Sequence, residues 1–356
     1  MHMADALLSP AVGGTMWALT AALAGYCSKK VGREMDDAKV PLMGFLGAFI
    51  FATQMINFTI PGTGSSGHLG GGLILAILLG PYAAFLVMAS VLGVQALFFA
   101  DGGLLALGAN IFNLGFFPCF VALSFVYKPI AGKKPTPQRI VIASVLAGVA
   151  GLQFGAFSVV LQTVSSGVSE LPFTTFLLLM QPIHLGIGLG EGVVTAAVVN
   201  FVWRTQPQIM VKAAAHQALG SISLKRVIAG LAVVTIITGG ALSWFASANP
   251  DGLEWSIAKV TGGEGELESS HPLHGILARI QEKTTFLPDY GFGVAEEKDQ
   301  APHSEAAVKA LDEKPAWPAV DAGTSVSGLV GGLLTLLAAI AIGWFLRRYG
   351  KRSDVG

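Results

Sequence analysis

Runs of about 20 mostly apolar residues recur along this 356-residue chain, and they leave it few folds to choose from. Inside a bilayer every backbone N–H and C=O must find a partner within the protein, so only helices or closed barrels can cross it. Such runs stand at 11–28, 41–59, 104–127, 140–164, 173–203, 225–247 and 325–346. Composition agrees: 12% of residues are charged and 45 are glycine, where soluble domains carry about 25% charged residues, and mean hydropathy is +0.63. The expectation is an all-α polytopic membrane protein embedded in a lipid bilayer. A net charge of zero argues nothing about nucleic acid, and no basic aromatic patch suggests such a partner, so none is expected. Cys27 and Cys119 lie in apolar runs and read as packing residues rather than a disulfide.

The stretch 69–100 is ambiguous, since Gly80-Pro81 could bend one long helix or turn a tight pair. Loop charge decides, because short cytoplasmic loops collect Lys and Arg. Lys29, Lys30, Arg33 and Lys39 place the first loop inside. Lys128, Lys133, Lys134 and Arg139 mark a second inner loop, Arg204, Lys212, Lys225 and Arg226 a third, and Arg347, Arg348, Lys351 and Arg352 an inner C-terminus. These assignments agree only if 69–100 crosses an even number of times, as a hairpin turning at Gly80-Pro81. Nine spans follow, with the N-terminus outside and the C-terminus in the cytoplasm of a bacterial or archaeal cell. Seven form a body over 1–205, a cytoplasmic linker covers 206–224, and two make a unit over 225–356. That unit carries an outer insert at 248–324, which holds 14 of the 22 acidic residues against six basic ones and reads as small and partly ordered.

Sidedness brings two histidines together. The chain opens MHMADALLSP with no basic residue before its first apolar run, unlike a cleaved signal, so Met1 and His2 are expected to stay. The loop IPGTGSSGHLGGG at 60–72 lies on the same outer face and carries His68, among glycines that permit close backbone approach. The amine of Met1, the backbone nitrogen of His2 and its ring Nδ1 could chelate a metal in a plane, with His68 as fourth ligand. Planar nitrogen ligation suits Ni(II) or Cu(II) rather than Mg, Ca or Mn. The alternative is that His2 is an ordinary solvated terminal residue.

His184 and Glu191 in QPIHLGIGLGEG are seven residues apart, near one face of a helix. Ionisable groups within a span usually face the bundle interior. They read either as a hydrogen-bonded packing pair or as an ion relay. Asn110, Asn113 and Gln95 invite interhelical hydrogen bonds first and ligand contacts second. His271 and His274 read as a surface pair before a weak metal site. The chain has no phosphate loop and no H-E-x-x-H, so neither ATP hydrolysis nor metalloprotease chemistry is expected of it.

Five ordered motifs carry a resemblance: MH…D…LSP at the start, SSGHLGGG, LLGPYAA, VQALFFADGGLLALGANIFNLG and HLGIGLGEG. Over roughly 1–205 the chain resembles the M component of energy-coupling-factor (ECF) nickel and cobalt transporters, the CbiM/NikM family. Its tail, with PDGLE at Pro250 to Glu254, is similar to the fused N component. The resemblance implies a substrate-binding subunit for Ni2+ or Co2+ that works with a transmembrane coupling (T) subunit and two cytoplasmic ATP-binding subunits. It places the metal ligands on Met1, His2 and His68. The chain departs from the family's usual opening at Met3, Ala4 and Ala6. A self-sufficient secondary transporter, coupled to protons through His184 and Glu191, is the competing reading; a transmembrane sensor would need an output domain that the sequence does not show.

Overall fold

The computed structural model describes residues 2–32, 35–169, 171–261, 271–292 and 317–353, with side chains to 348. Met1 and parts of the insert, 262–270 and 293–316, lie outside the described residues. The helices are α1 (Pro10–Val31), α2 (Lys39–Gln54), α3 (Gly72–Leu79), α4 (Pro81–Phe98), α5 (Leu107–Ala131), α6 (Pro137–Ser166), α7 (Phe173–Thr205), α8 (Gln208–Ala214), α9 (Lys225–Gly240), α10 (Gly252–Thr261), α11 (Pro272–Thr284) and α12 (Ala322–Ser353). Two short strands, β1 (Phe58–Ile60) and β2 (Ser65–Gly67), pair antiparallel with Phe58 opposite Gly67. The chain is an all-α polytopic membrane protein. Among the described residues α4, α5, α6, α7 and α12 are long and apolar enough to cross a bilayer unaided, and α2 is a shorter apolar helix.

Local chemistry sets the ends. Ser9 caps α1 ahead of Pro10, and Thr136 caps α6 ahead of Pro137, each side chain accepting from a first-turn amide. Gly80, at φ +83°, makes the turn between α3 and α4, a conformation that residues with a Cβ seldom adopt. In the middle of α5, Pro118 can neither donate nor tolerate the preceding carbonyl in its α-position, and Phe112–Tyr127 is wound as a wider π-helix.

The hairpin over 69–100 is present, but its arms are unequal. At 1.5 Å per residue the eight residues of α3 reach about 12 Å, well short of a bilayer; an extended segment supplies the rest of the descent. The run at 41–59 differs similarly, since its helix stops at Gln54 and the chain enters β1. Glycine is the reason the descent can be extended. A Cβ on Gly67 would lie 2.3 Å from Ile187 Cδ1, and one on Gly72 would lie 2.5 Å from the Leu114 carbonyl, so this stretch lies flat on its neighbours.

The basic segments gather at one end. Asp36 accepts from the Gly220 amide at 2.5 Å, Asp37 pairs with Arg347, and Gly80-Pro81 shares a cavity with Lys128, Lys133, Met210 and Val211. His2 and His68 sit at the other. The helices of the second unit are not peripheral: α12 packs on α2, α4 and α9.

Candidate metal centre

Two segments bring the histidines together. Met3 is fully buried, and its backbone is gripped from both sides by Asn110, whose Oδ1 accepts from the Met3 amide at 2.8 Å while Nδ2 donates to the Met3 carbonyl at 3.1 Å. The amide of Gly103 donates to that same carbonyl at 3.0 Å. His2 is thereby held over the 100–103 turn. The departures at Met3, Ala4 and Ala6 do not loosen this path.

His68 follows β2. The carboxylate of Glu191 accepts from the Gly70 amide at 2.6 Å and from the Gly71 amide at 3.2 Å. Gln54 donates to the Gly70 carbonyl at 2.7 Å and accepts from Gln95 at 2.9 Å. Glu191 and Gln54, the latter held by Gln95, therefore fix the backbone behind His68, where the sequence suggested a His184 pair or an ion relay for Glu191 and interhelical bonds first for Gln95.

The two imidazoles stack, their centroids 4.8 Å apart and their planes 23° from parallel. His2 Nδ1 lies 2.7 Å from Asp101 Oδ1, and His68 Nδ1 donates to the Leu69 carbonyl at 3.0 Å. In both rings Nε2 is buried with no hydrogen-bond partner. Burial, more than neighbouring charge, lowers the His68 pKa to about 3, so this ring is neutral and offers its Nε2 lone pair. Burial alone would raise Asp101, but the adjacent His2 ring and the Tyr290 hydroxyl hold it below the usual carboxylate range. A neutral imidazole tethered through one nitrogen, as His68 is, is the usual presentation of metal-ligating histidine. In this structure Asp101 occupies the nitrogen that the terminal chelate would use, so that chelate requires the His2 ring to leave Asp101. No three His, Cys, Asp or Glu side chains among the described residues form a complete ion site.

The remaining candidates separate. Asn113 pairs with Gln162 at 2.9 and 3.0 Å and points Nδ2 at the Met3 sulfur, so it supports rather than ligates. His184 is buried with Nδ1 on the Met180 carbonyl at 2.8 Å and Nε2 unpartnered. Its polar contacts and those of Glu191 go to different partners, so the expected pair is not made. His274 Nε2 donates to the Asp5 and Leu8 carbonyls at 3.0 and 2.9 Å, and His271 Nδ1 accepts from the Leu273 amide. Sequence reasoning passed over Asp101 and Tyr290. A lone Asp at the outer end of a long apolar run was the available signal for the first; nothing local marks the second.

The PDGLE stretch resolves into a helix start pressed on this site. Asp251 caps α10, accepting from the Leu253 and Glu254 amides at 2.8 Å, and Glu254 reaches back to the Asp251 amide at 3.2 Å, a reciprocal capping box. The Pro250 carbonyl accepts from the Ser66 amide at 2.8 Å, which adds a parallel bridge to the edge of β2. Gly252 leaves no room for a side chain, since a Cβ would stand 2.6 Å from Ile183 Cγ2 and 3.3 Å from His184 Cε1. Between the two units lies a cavity of about 660 Å³, lined by His2, His68, Asp101, Asp251, Glu254 and Tyr290 among others.

Residues 2–209 match the family described as "Cobalt uptake substrate-specific transmembrane region", and residues 225–348 match the PDGLE domain. The chain is 31% identical to a "Putative fused nickel transport protein NikMN" of Archaeoglobus fulgidus, over 99% of this chain and all of that one. It is 30% identical to the "Fused nickel transport protein NikMN" of Rhodobacter capsulatus, over 82% of this chain and 88% of that one. A solved structure described as a truncated transition metal transporter superposes with a TM-score of 0.52 at 30% identity, covering 58% of this chain and 99% of the other.

Proposed function

The chain belongs to the cobalt uptake substrate-specific transmembrane family, with a PDGLE domain behind it, and on that premise we propose that it captures Ni2+ or Co2+ for an ATP-driven importer of the ECF type. It is a multi-pass nickel/cobalt transport protein of the membrane. The observation that carries the site is the stacked His2–His68 pair with a buried, unpartnered Nε2 on each ring; the terminal chelate takes His68 through Nε2 and His2 through Nδ1, once that ring leaves Asp101. The proposed ligands are the amine of Met1, His2 and His68; Asn110, Asn113 and Glu191 position the two segments. The end bearing His2 faces out and the basic end faces the cytoplasm. A transmembrane coupling subunit and cytoplasmic ATP-binding subunits supply the energy, since no nucleotide motif stands in this sequence. The proton relay through His184 and Glu191 loses support, because the Glu191 carboxylate is committed to two loop amides.

Nickel titration of the purified protein tests the site. His2→Ala, His68→Ala and a variant with one alanine inserted between Met1 and His2 should each bind at least tenfold more weakly, since even groups behind the ligands are worth about that much. Parent-like binding by the insertion variant would exclude the terminal chelate. Uphill nickel uptake by the reconstituted chain alone, driven by a proton gradient, would overturn the ATP-driven assignment.

A further inference from the structure

The outer part of the C-terminal unit makes polar contact with each of the three segments that carry site groups. On the His68 segment, the Asn249 and Pro250 carbonyls take the Ser66 hydroxyl at 2.7 Å and the Ser66 amide at 2.8 Å. On the His2 segment, His274 donates to the Asp5 and Leu8 carbonyls. On the 100–103 turn, the Tyr290 hydroxyl donates to Asp101 Oδ2 at 2.5 Å, and Gln281 donates to the Gly102 carbonyl at 2.8 Å. Tyr290 and the preceding Asp289 adopt φ of +60° and +49°, backbone that side-chain-bearing residues hold only when their surroundings impose it. The Tyr290 ring is stacked on Phe99 at 5.0 Å. These contacts join residues 179 or more positions apart, so they are products of tertiary assembly alone.

We propose that this outer part of the C-terminal unit is a clamp that holds the His2, His68 and Asp101 segments in register, with PDGLE as its grip on the His68 strand. PDGLE suits the task residue by residue. The Pro250 carbonyl takes the strand's edge amide, Asp251 and Glu254 stiffen the helix start, Gly252 seats it against Ile183 and His184, and buried Leu253 anchors it. Without the clamp the loop behind His68 would still be tied by Glu191 and Gln54, but its strand edge at Ser66 would be open. The expected consequence is faster loss of bound metal rather than loss of the fold. The proposal rests on His2 and His68 being ligands.

A wedge at Gly252 tests it in the full-length protein, with nickel as the probe. Gly252→Val should raise the nickel dissociation rate and weaken affinity about tenfold, the low end for groups that orient metal ligands. Adding Ile183→Ala opens the space that the new side chain needs and should restore most of the affinity. Tyr290→Phe, which keeps the stacking on Phe99 and removes only the hydroxyl, should weaken nickel binding independently of that rescue. Parent-like nickel binding by both Gly252→Val and Tyr290→Phe, while His2→Ala and His68→Ala lose it, would overturn the clamp and leave the site standing. Parent-like binding by the two histidine variants would instead overturn the site on which the clamp rests. If Gly252→Val does not fold, Tyr290→Phe alone decides.

Discussion

At the scale of single residues, the histidines matter less by their presence than by which nitrogen is taken. Asp101 and the Leu69 carbonyl each occupy an Nδ1, so both Nε2 atoms are the ones left buried and unpaired. Glu191 shows how a residue type can mislead. A carboxylate within a span suggested a packing pair with His184 or an ion relay, yet its two oxygens are spent on the amides of Gly70 and Gly71. Glu191→Ala leaves those buried amides unsatisfied, at about 1–3 kcal/mol each, and frees the loop behind His68. Thermal melting in detergent should fall and nickel affinity should drop about tenfold. Glu191→Gln retains one acceptor oxygen and should lie between the variant and the parent in both measurements. An unchanged affinity in Glu191→Ala would show that the loop does not need this anchor.

At the scale of elements, α6 and α7 are joined by glycine rather than by interlocking apolar side chains. A Cβ on Gly192 would lie 2.4 Å from Val145 Cα, and one on Gly188 would lie 2.7 Å from Val149 Cα, so the two backbones touch. Lipid gives helices little hydrophobic reason to associate, and small residues that allow close approach take over that role. Gly192→Val must force the helices apart, and overpacking of this kind costs about 1–3 kcal/mol or more. Because α7 also carries Glu191 and the seat for Gly67, the same variant should weaken nickel binding. Gly93→Ala on α4, where an added Cβ meets nothing within 4 Å, is the control and should leave the melting temperature unchanged or raised. Equal melting curves for Gly192→Val and the parent would refute the close-contact account.

At the scale of the whole molecule, the two ends differ in kind. One gathers the basic loops, and the other gathers His2, His68, Asp101 and the outer helices. Between them α6 and α7 turn Leu146, Phe154, Leu161, Leu178, Leu189 and Val193 outward, an apolar belt that a membrane covers. Pro61→Cys and Lys133→Cys, both at exposed positions, should label from opposite sides of the membrane with an impermeant thiol reagent. The native Cys27 and Cys119 are buried and free and form the background. Ser66, although on the outer segment, is buried beneath Asn249 and Pro250 and would report poorly. Labelling of both positions from one side would sink the assignment of the basic end to the cytoplasm.

Hydropathy is written locally along the chain, so the sequence by itself determined that this is a helical membrane protein. It also determined that 69–100 must turn back at Gly80-Pro81, and that His2 and His68 share an end. Its motifs were specific enough to indicate the family. Only the tertiary structure decided that α3 is a short arm completed by an extended, glycine-lined descent. It alone joined Asp101 to His2, Glu191 to the His68 loop, and PDGLE to Ser66. Each of these is one polar group satisfying another 99 or more positions away in the chain, where the choice of partner depends on which helices touch. A span's own composition says that its buried polar groups need partners, but not which ones the packed bundle will bring within reach.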